Sequence, residues 1–328
     1  MNHCLLRLRL PCHAIKRCYT TTVKPSVKLL AQLRKETEIS ISKAKEALVK
    51  SGNDYEKALA WLAEDAQVSG AKKAQKVAGR KAGEGLVTVA SVQSRSTIIE
   101  LNCETDFVSR NDIFKNLASR IAATSLLLHD SASSKVTASG RPRIETVPQD
   151  SLLLAPLMPH PEQTETELNK SVQETIVETI GKIGENIALR RAAAVEGGIS
   201  AAYVHGGDGV AGKMAGLAVL MPRGVTVAEL EESEAAALAK TARQIARQVV
   251  GYSPTYLTEE DVPKDKLEAE SNPSEFISST VLTKQPFLLK PDQTVADYVD
   301  QAARDAGIKN GAEVVDFVRF QVGESIDQ

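Results

Sequence analysis

Apolar residues between positions 26 and 66 recur every three or four residues, which is the spacing of amphipathic helices. Three such stripes follow one another, and their members are Leu29, Leu30 and Leu33; Ala44, Ala47 and Leu48; and Tyr55, Ala58, Leu59 and Leu62. Ser40 or Ser42 can cap the second helix, and Asn53 can cap the third. The pattern therefore predicts a small three-helix domain over residues 26–66.

The pattern changes between residues 67 and 85, where small, basic and polar residues replace the apolar stripe. We predict a basic linker with some helical character. Its lysines could contact the phosphates of RNA, but no aromatic residues stand between them to stack on bases. This favours a solvated linker, and we do not expect nucleic acid as a partner.

One pattern then occurs twice in the rest of the chain: two strands joined by a turn, followed by a helix. In residues 86–195, alternating apolar residues predict a hairpin over 86–103, and helical spacing predicts helices over 111–128 and 165–186. Within the hairpin, Glu100 is expected to face away from the apolar side.

Residues 129–163 interrupt the first copy of this pattern. The stretch contains a serine-rich run and five prolines, without a helical or strand period. Such a composition predicts an irregular insertion.

The second copy occupies residues 196–328. Its predicted elements are strands over 201–205 and 214–220, a helix over 227–250, a strand over 281–289, a helix over 294–306 and a strand over 313–322. The whole chain therefore predicts an α+β fold. A three-helix domain and a basic linker precede a duplicated core with antiparallel sheets flanked by helices.

The composition predicts a water-soluble globular protein. Of the 328 residues, 42% are hydrophobic and 25% are charged, and the formal net charge is −2. No apolar run approaches the ~18 residues of a membrane span. We therefore expect no membrane association.

The N-terminus has the composition of a targeting segment. The first 35 residues contain eight lysines and arginines and no acidic residue, and leucines alternate with Arg7 and Arg9. This pattern predicts a mitochondrial transit peptide over residues 1–19, removed near Arg17. A disordered basic tail is the alternative. Removal would leave Cys103 as the single cysteine, which suits a reducing compartment such as the mitochondrial matrix.

The motifs of familiar enzyme classes are absent from the sequence. There is no phosphate-binding loop of the G-x-x-x-x-G-K-[ST] type, and no G-x-G-x-x-G opens a helix. No Ser/His/Asp arrangement or metalloprotease motif is present. We therefore expect a binding protein rather than an enzyme, with no metal site and no cofactor.

The residues from 100 to 110 read ELNCETDFVSR and stand out from their surroundings. Phe107 lies where the second strand of the hairpin ends and the next helix begins. From the residues alone, Thr105 or Asp106 would cap that helix, and Phe107 would staple the chain against it.

This run resembles the signature of the translation elongation factor Ts family, whose members exchange GDP for GTP on elongation factor Tu. Further segments resemble the family in the same order, and they are residues 33–37, 43–48, 182–191, 203–206, 285–287 and 317–324. Two features depart from bacterial members: the insertion 129–163, and a stretch of only about 20 residues where those members carry a helical hairpin. With the transit-like N-terminus, the shortened stretch resembles the mitochondrial branch of the family.

The resemblance implies a guanine-nucleotide exchange factor for mitochondrial elongation factor Tu that does not itself bind the nucleotide. Thr105, Asp106, Phe107 and Val108 would form the contact loop, with Phe107 wedged between helices of the GTPase and Asp106 disturbing its Mg²⁺ site. His205 would lie near the phosphate-binding loop of the partner. From the residues alone, a structural histidine at a strand end is the other reading.

A different class of function also fits part of the chain. The three-helix domain resembles ubiquitin-associated domains, so the protein could be a non-enzymatic adaptor or scaffold. Organelle targeting and the run from 100 to 110 argue against that alternative.

Overall fold

The computed structural model describes residues 24–37, 39–92, 94–128, 141–159 and 170–325. The predicted transit peptide 1–19 lies outside these residues. The chain divides between Asp65 and Ala66 into two compact units. No helix in the described part of the chain is long and apolar enough to cross a membrane.

Three helices begin the described chain, as the apolar spacing predicts: α1 (Val27–Thr37), α2 (Ile41–Lys50) and α3 (Tyr55–Val77). In the first unit they enclose a small core of Leu33, Ala44, Ala47, Leu48, Ala58 and Leu62. Ser40 caps α2 by accepting a hydrogen bond from the amide of Lys43.

The cap of α3 differs from the predicted Asn53. The Asp54 carboxylate accepts a hydrogen bond from the Lys57 amide at 3.1 Å, which is the geometry of an N-cap. Asn53 instead adopts φ +66°, and its side chain accepts from the Ser26 amide and donates to the Lys24 carbonyl. Its side chain is thus used to hold the chain that enters α1.

Part of the linker predicted over 67–85 is helical, because α3 continues as a regular helix through Val77. This part of α3 belongs to the second unit, and from Gly70 onward it packs small residues against the rest of that unit, where a side chain at Gly70 would meet the Val177 carbonyl. Val77 is buried, and the Lys73 ammonium donates to the Gly181 carbonyl at 2.6 Å. The buried face of this part of α3 consists of Gly, Ala and Val residues. It lacks the large apolar side chains by which an amphipathic helix is recognised in a sequence.

The second unit continues with strands and helices in the following order: β1 (Glu84–Val92), β2 (Arg95–Cys103), α4 (Asp106–Ser109), α5 (Asp112–Leu128), β3 (Glu145–Thr146), α6 (Gln149–Leu154), α7 (Val172–Ile183), β4 (Ile187–Glu196), β5 (Ile199–His205), β6 (Ala211–Gly212), β7 (Met214–Pro222), α8 (Glu232–Tyr252), α9 (Lys264–Ala269), α10 (Pro273–Thr280), β8 (Pro286–Phe287), β9 (Lys290–Thr294), α11 (Val295–Asp305) and β10 (Ala312–Gln321). Two antiparallel sheets dominate, ordered β3-β4-β2-β1-β6 and β10-β7-β5, and β8 pairs with β9.

The two sheets pack face to face, and each carries helices on its other face. Side chains of β1, β2 and β4 meet those of β5, β7 and β10 in a shared core that includes Val87, Ile98, Leu217 and Val219. Helices α5 and α7 cover the first sheet, and α8 and α11 cover the second. This arrangement confirms the α+β prediction. The duplication is not complete in the pairing, because β6 from the second half joins β1.

The first sheet is covered on both faces, and this explains why Glu100 is buried although the hairpin pattern placed it away from the apolar side. Glu100 faces away from the helices as expected, but it is fully buried because the second sheet covers that side. Its carboxylate pairs with Arg190 at 3.2 Å and Arg191 at 2.7 Å, and it accepts the Gly323 amide at 2.9 Å. The buried charge thus has partners, and it fixes the end of the last strand to the first sheet.

The predicted insertion 129–163 is only partly irregular. Residues 129–140 and 160–163 lie outside the described part, but 141–159 contain β3 and α6. Val147, Leu152 and Leu157 pack into the core under α5 and α7. Prolines therefore delimit short elements here, rather than excluding the segment from the fold.

Other boundaries shift by a few residues, each for a local reason. Helix α7 begins at Val172, where Ser171 and Glu174 form a capping box, and the predicted start at 165 lies outside the described residues. The strand predicted over 281–289 is a 3₁₀ turn followed by the two-residue strand β8. Strand β4 directly follows the helix predicted over 165–186, and no strand was predicted at its position.

Candidate functional site

The run from 100 to 110 forms the end of β2 and the one-turn helix α4. Thr105 is the N-cap of α4, and its hydroxyl accepts a hydrogen bond from the Val108 amide at 3.4 Å. The Ser109 hydroxyl closes the turn by donating to the Asp106 carbonyl at 2.9 Å. Thr105 was one of the two caps that the sequence left open, and this geometry selects it.

Phe107 and Val108 point in opposite directions from this turn. Val108 is 8% exposed and belongs to the core beneath α5, whereas Phe107 is 79% exposed. The stapling alternative for Phe107 is therefore wrong, because a staple is defined by its contact with the helix. Val108 anchors the turn, and the phenylalanine ring is left in solvent.

Asp106 stands beside Phe107 and forms an ion pair one helical turn along. Its carboxylate lies 2.9 Å from the Arg110 guanidinium; the Arg110 side chain is exposed and the Asp106 side chain is half-buried. An exposed pair at this spacing is worth only about 0.3–0.5 kcal/mol. The carboxylate can therefore exchange this partner for another cation at little cost.

His205 ends β5 and is exposed, next to a turn that returns the chain to β6. Asp208 shapes this turn by accepting hydrogen bonds from the amides of Val210 at 3.0 Å and Ala211 at 2.9 Å. These backbone hydrogen bonds hold the pKa of the Asp208 carboxyl below its usual value. Gly207 is required, because a Cβ there would lie 1.8 Å from the Ala211 carbonyl oxygen.

Lys213 connects the α4 turn to the turn after His205, a role that the sequence did not indicate. Its amide donates to the His205 carbonyl at 3.2 Å. Its ammonium reaches Glu84 at 2.7 Å and the Ser109 hydroxyl at 3.3 Å. The structure thus joins the two predicted contact segments through one residue, whose backbone bonds one segment and whose side chain bonds the other. A lysine between two turns carries no sequence signal of its own, since surface lysines are common.

Cys103 lies behind the α4 turn and is fully buried. Its thiol donates to the Thr105 carbonyl at 3.2 Å. Burial, with a smaller contribution from the Glu185 charge, raises the pKa of the thiol to about 12. The thiol is therefore neutral near pH 7, which makes it neither a nucleophile nor a metal ligand.

The groups around the α4 turn are suited to binding a partner. In the described part of the chain, no three His, Cys, Asp or Glu side chains gather in a way that could hold a metal ion. What the site presents is an apolar ring, a carboxylate with a replaceable partner and an imidazole, on a rigid support. Such a surface suits contact with a protein partner.

Comparisons with known proteins agree with this interpretation. The family model described as "Elongation factor TS" matches residues 104–275. A protein of Coprinopsis cinerea named "Elongation factor Ts, mitochondrial" is 35% identical, with 98% of both chains covered. Proteins of the same name from Laccaria bicolor and Salmo salar are 37% and 34% identical, covering 95% and 90% of this chain. The matched family does not favour the adaptor alternative.

Proposed function

We propose that this chain, which belongs to the elongation factor Ts family, binds mitochondrial elongation factor Tu in its GDP form and releases the GDP so that GTP can replace it. It is a mitochondrial protein, like the relatives that carry that word in their names. The observation that carries the proposal is the exposed Phe107 ring, mounted beside Asp106 within the segment that matches the family model.

Exchange of this kind needs no covalent step by the factor. A GTPase holds GDP through backbone amides around the phosphates and through a Mg²⁺ ion that bridges oxygens. A factor that binds the nucleotide-free GTPase more tightly than the GDP form weakens GDP binding by the same ratio. The factor therefore acts through contacts alone, which is consistent with a protein that is not an enzyme.

Phe107 is the wedge in this proposal. Its ring is exposed in the free protein and would be buried between helices of the GTPase domain in the complex. Full burial of a large apolar side chain contributes about 1.5–3 kcal/mol. If the slot opens only when the nucleotide site is distorted, that free energy opposes GDP binding.

Asp106 and His205 would act near the ring. The Asp106 carboxylate can leave the exposed Arg110 and disturb the Mg²⁺ coordination of the partner. His205 ends β5 beside the neighbouring turn, is linked to the α4 turn through Lys213, and would contact the phosphate-binding loop. Thr105 and Val108 hold the turn rather than making the contact.

The remaining parts have proposed roles in docking. The three-helix domain over 26–66 would bind the GTPase domain, and residues 196–328 would bind another domain of the partner. The core subdomain 86–195 would carry the α4 turn.

A nucleotide-release assay tests the function. Mitochondrial elongation factor Tu loaded with fluorescent GDP is mixed with excess unlabelled GDP, with or without this protein. We expect catalytic amounts of the protein to accelerate release, and a rate that does not change would refute the proposal. Asp106→Ala should slow release in Mg²⁺ buffer and matter less in chelator, where the metal has already left.

A further inference from the structure

Residues 182–187 match the family but are explained by nothing in the exchange contact itself. The structure places them directly against the base of the α4 turn. The Glu185 carboxylate accepts two hydrogen bonds from Thr105, one from the amide at 3.0 Å and one from the hydroxyl at 2.7 Å. Thr105 in turn caps α4, so Glu185 holds the residue from which the turn starts.

A second set of hydrogen bonds runs in the opposite direction across the same junction. The Glu104 carboxylate accepts the Asn186 amide at 2.7 Å, and the Asn186 side chain donates to the Arg80 carbonyl at 2.9 Å. We call the four residues Glu104, Thr105, Glu185 and Asn186 the clasp. It joins two segments that lie about eighty positions apart in the chain.

The end of α7 determines the direction in which Glu185 and Asn186 leave the helix. Gly184 terminates this helix with φ +87°, a left-handed conformation that glycine adopts without steric cost. The chain therefore turns sharply, and the next two residues face the α4 turn. Glu185 is half-buried there rather than extended into solvent.

The α4 turn needs such a support. A helix of four residues is far below the length at which helices are stable alone. The exposed Phe107 ring adds no packing of its own in the free protein. The conformation of the turn must come from Val108 below it, from the hydrogen bonds at its N-cap Thr105 and from the Lys213 contact at Ser109.

We propose that Glu185 is a positioning residue for nucleotide exchange: by holding Thr105 it keeps the α4 turn, and with it Phe107, in the binding conformation before the partner arrives. This inference rests on the proposed function, because the turn must be the exchange contact. Glu185 itself would touch neither the GTPase nor the nucleotide.

This role predicts a particular kinetic signature. If only a fraction of the molecules holds the turn correctly, the apparent affinity for the partner falls by that fraction, while saturating partner restores the reaction. Loss of Glu185 should therefore lower kcat/KM for the GDP-bound partner and leave kcat nearly unchanged. Irreversible loss of folded protein would instead lower kcat without changing KM.

The chain offers a matched control at the other end of α7. Glu174 accepts hydrogen bonds from the amide of Ser171 at 2.8 Å and from its hydroxyl at 2.9 Å, the same pair of bonds that Glu185 accepts from Thr105. Glu174→Ala removes a capping carboxylate away from the α4 turn. This variant measures how much stability and exchange activity are lost when a helix cap is removed at a position that does not support Phe107.

The experiment compares Glu185→Ala, Glu185→Gln and Glu174→Ala in the full mature chain. Glu185→Ala should lower kcat/KM by about ten- to a hundredfold, since hydrogen bonds to a charged group are lost. Glu185→Gln should stay within about threefold of the parent, because the amide can accept from the Thr105 N–H and donate to its hydroxyl oxygen. Glu174→Ala should leave the exchange of the folded protein unchanged.

Two further measurements separate this inference from the function on which it rests. Amide hydrogen exchange of residues 105–109 in the free protein should be faster in Glu185→Ala and unchanged in Glu174→Ala; equal protection in both would overturn the inference whatever the partner does. In a Phe107→Ala background, Glu185→Ala should cost little more. A full additional loss would overturn the inference, whereas a Phe107→Ala variant that is fully active would refute the exchange contact itself.

Discussion

Replacing Phe107 with alanine should affect partner binding while leaving the stability of the free protein almost unchanged. The ring is 79% exposed, so its removal opens no cavity, and the free energy of unfolding should change by no more than about 0.5 kcal/mol. Phe114, seven residues later, is fully buried under the first sheet. Phe114→Ala should cost about 3–5 kcal/mol of stability, and it serves as the matched control.

The expected loss of exchange follows from the area that the ring can bury. Because about four-fifths of the residue is open to solvent, nearly the full benefit of burying a phenylalanine, about 1.5–3 kcal/mol, is available on binding. Each 1.4 kcal/mol corresponds to a factor of ten. Phe107→Ala should therefore slow GDP release at low factor concentration by about ten- to a hundredfold.

The two variants are measured on the same preparations by thermal unfolding and by release of fluorescent GDP. We expect Phe107→Ala to melt with the parent and exchange poorly. We expect Phe114→Ala to melt early and to exchange normally per folded molecule. The reverse pattern, a destabilised Phe107→Ala whose folded fraction exchanges at the parental rate, would refute the wedge.

Three further predictions concern other parts of the molecule. Leu33→Ala should cost about 2–5 kcal/mol in the first unit, whose core is small, and should weaken partner binding while the second unit keeps its melting transition; unchanged affinity with an unfolded first unit would contradict its docking role. Import into mitochondria should remove about 19–25 residues, and N-terminal sequencing that still finds Cys12 would contradict this. The Asp208 carboxyl has a lowered pKa in the folded state, so its stabilising contribution is present above about pH 4 and fades as the pH falls through the folded value; the melting difference between the parent and Asp208→Ala should shrink between pH 6 and pH 3.

Strands with alternating apolar residues were predictable because their period reports burial directly. The hairpin of β1 and β2 and the helix α5 lie within a few residues of their predicted positions. The environment of Glu100 was not predictable from that period. A charged residue facing away from one core is normally solvated, and only a second sheet, placed there by the tertiary fold, converts the position into a buried ion pair.

Errors arose where small residues carry the packing. The second half of α3 buries a stripe that includes Gly70, Ala74 and Val77. These side chains are small, so the stripe has a low summed hydrophobicity and is hard to recognise in the sequence. Three residues separate the end of α7 from the start of strand β4, and the alanines at 192–194 fit a helix as well as a strand. Its assignment depends on pairing with β2, a contact between residues ninety positions apart.

The candidate site shows the same division between local and distant information. Thr105 as a cap and Phe107 as an unusual residue at a strand end are visible in the sequence, because both are local features. Lys213 and Glu185 are not visible, since each becomes meaningful only when a turn more than seventy positions away is brought beside it.

A contact residue must be exposed to reach the partner, whereas a supporting residue must be packed or hydrogen-bonded to stabilise the turn. Phe107 must stay in solvent to remain available, so it can add nothing to the stability of its own turn. The free energy that fixes the turn must therefore come from neighbours that do not touch the partner, which are Val108 below it and Glu185 and Lys213 beside it. Substitutions at the supports should consequently act on exchange through the conformation of the turn. Substitutions at the ring should act through the complex alone.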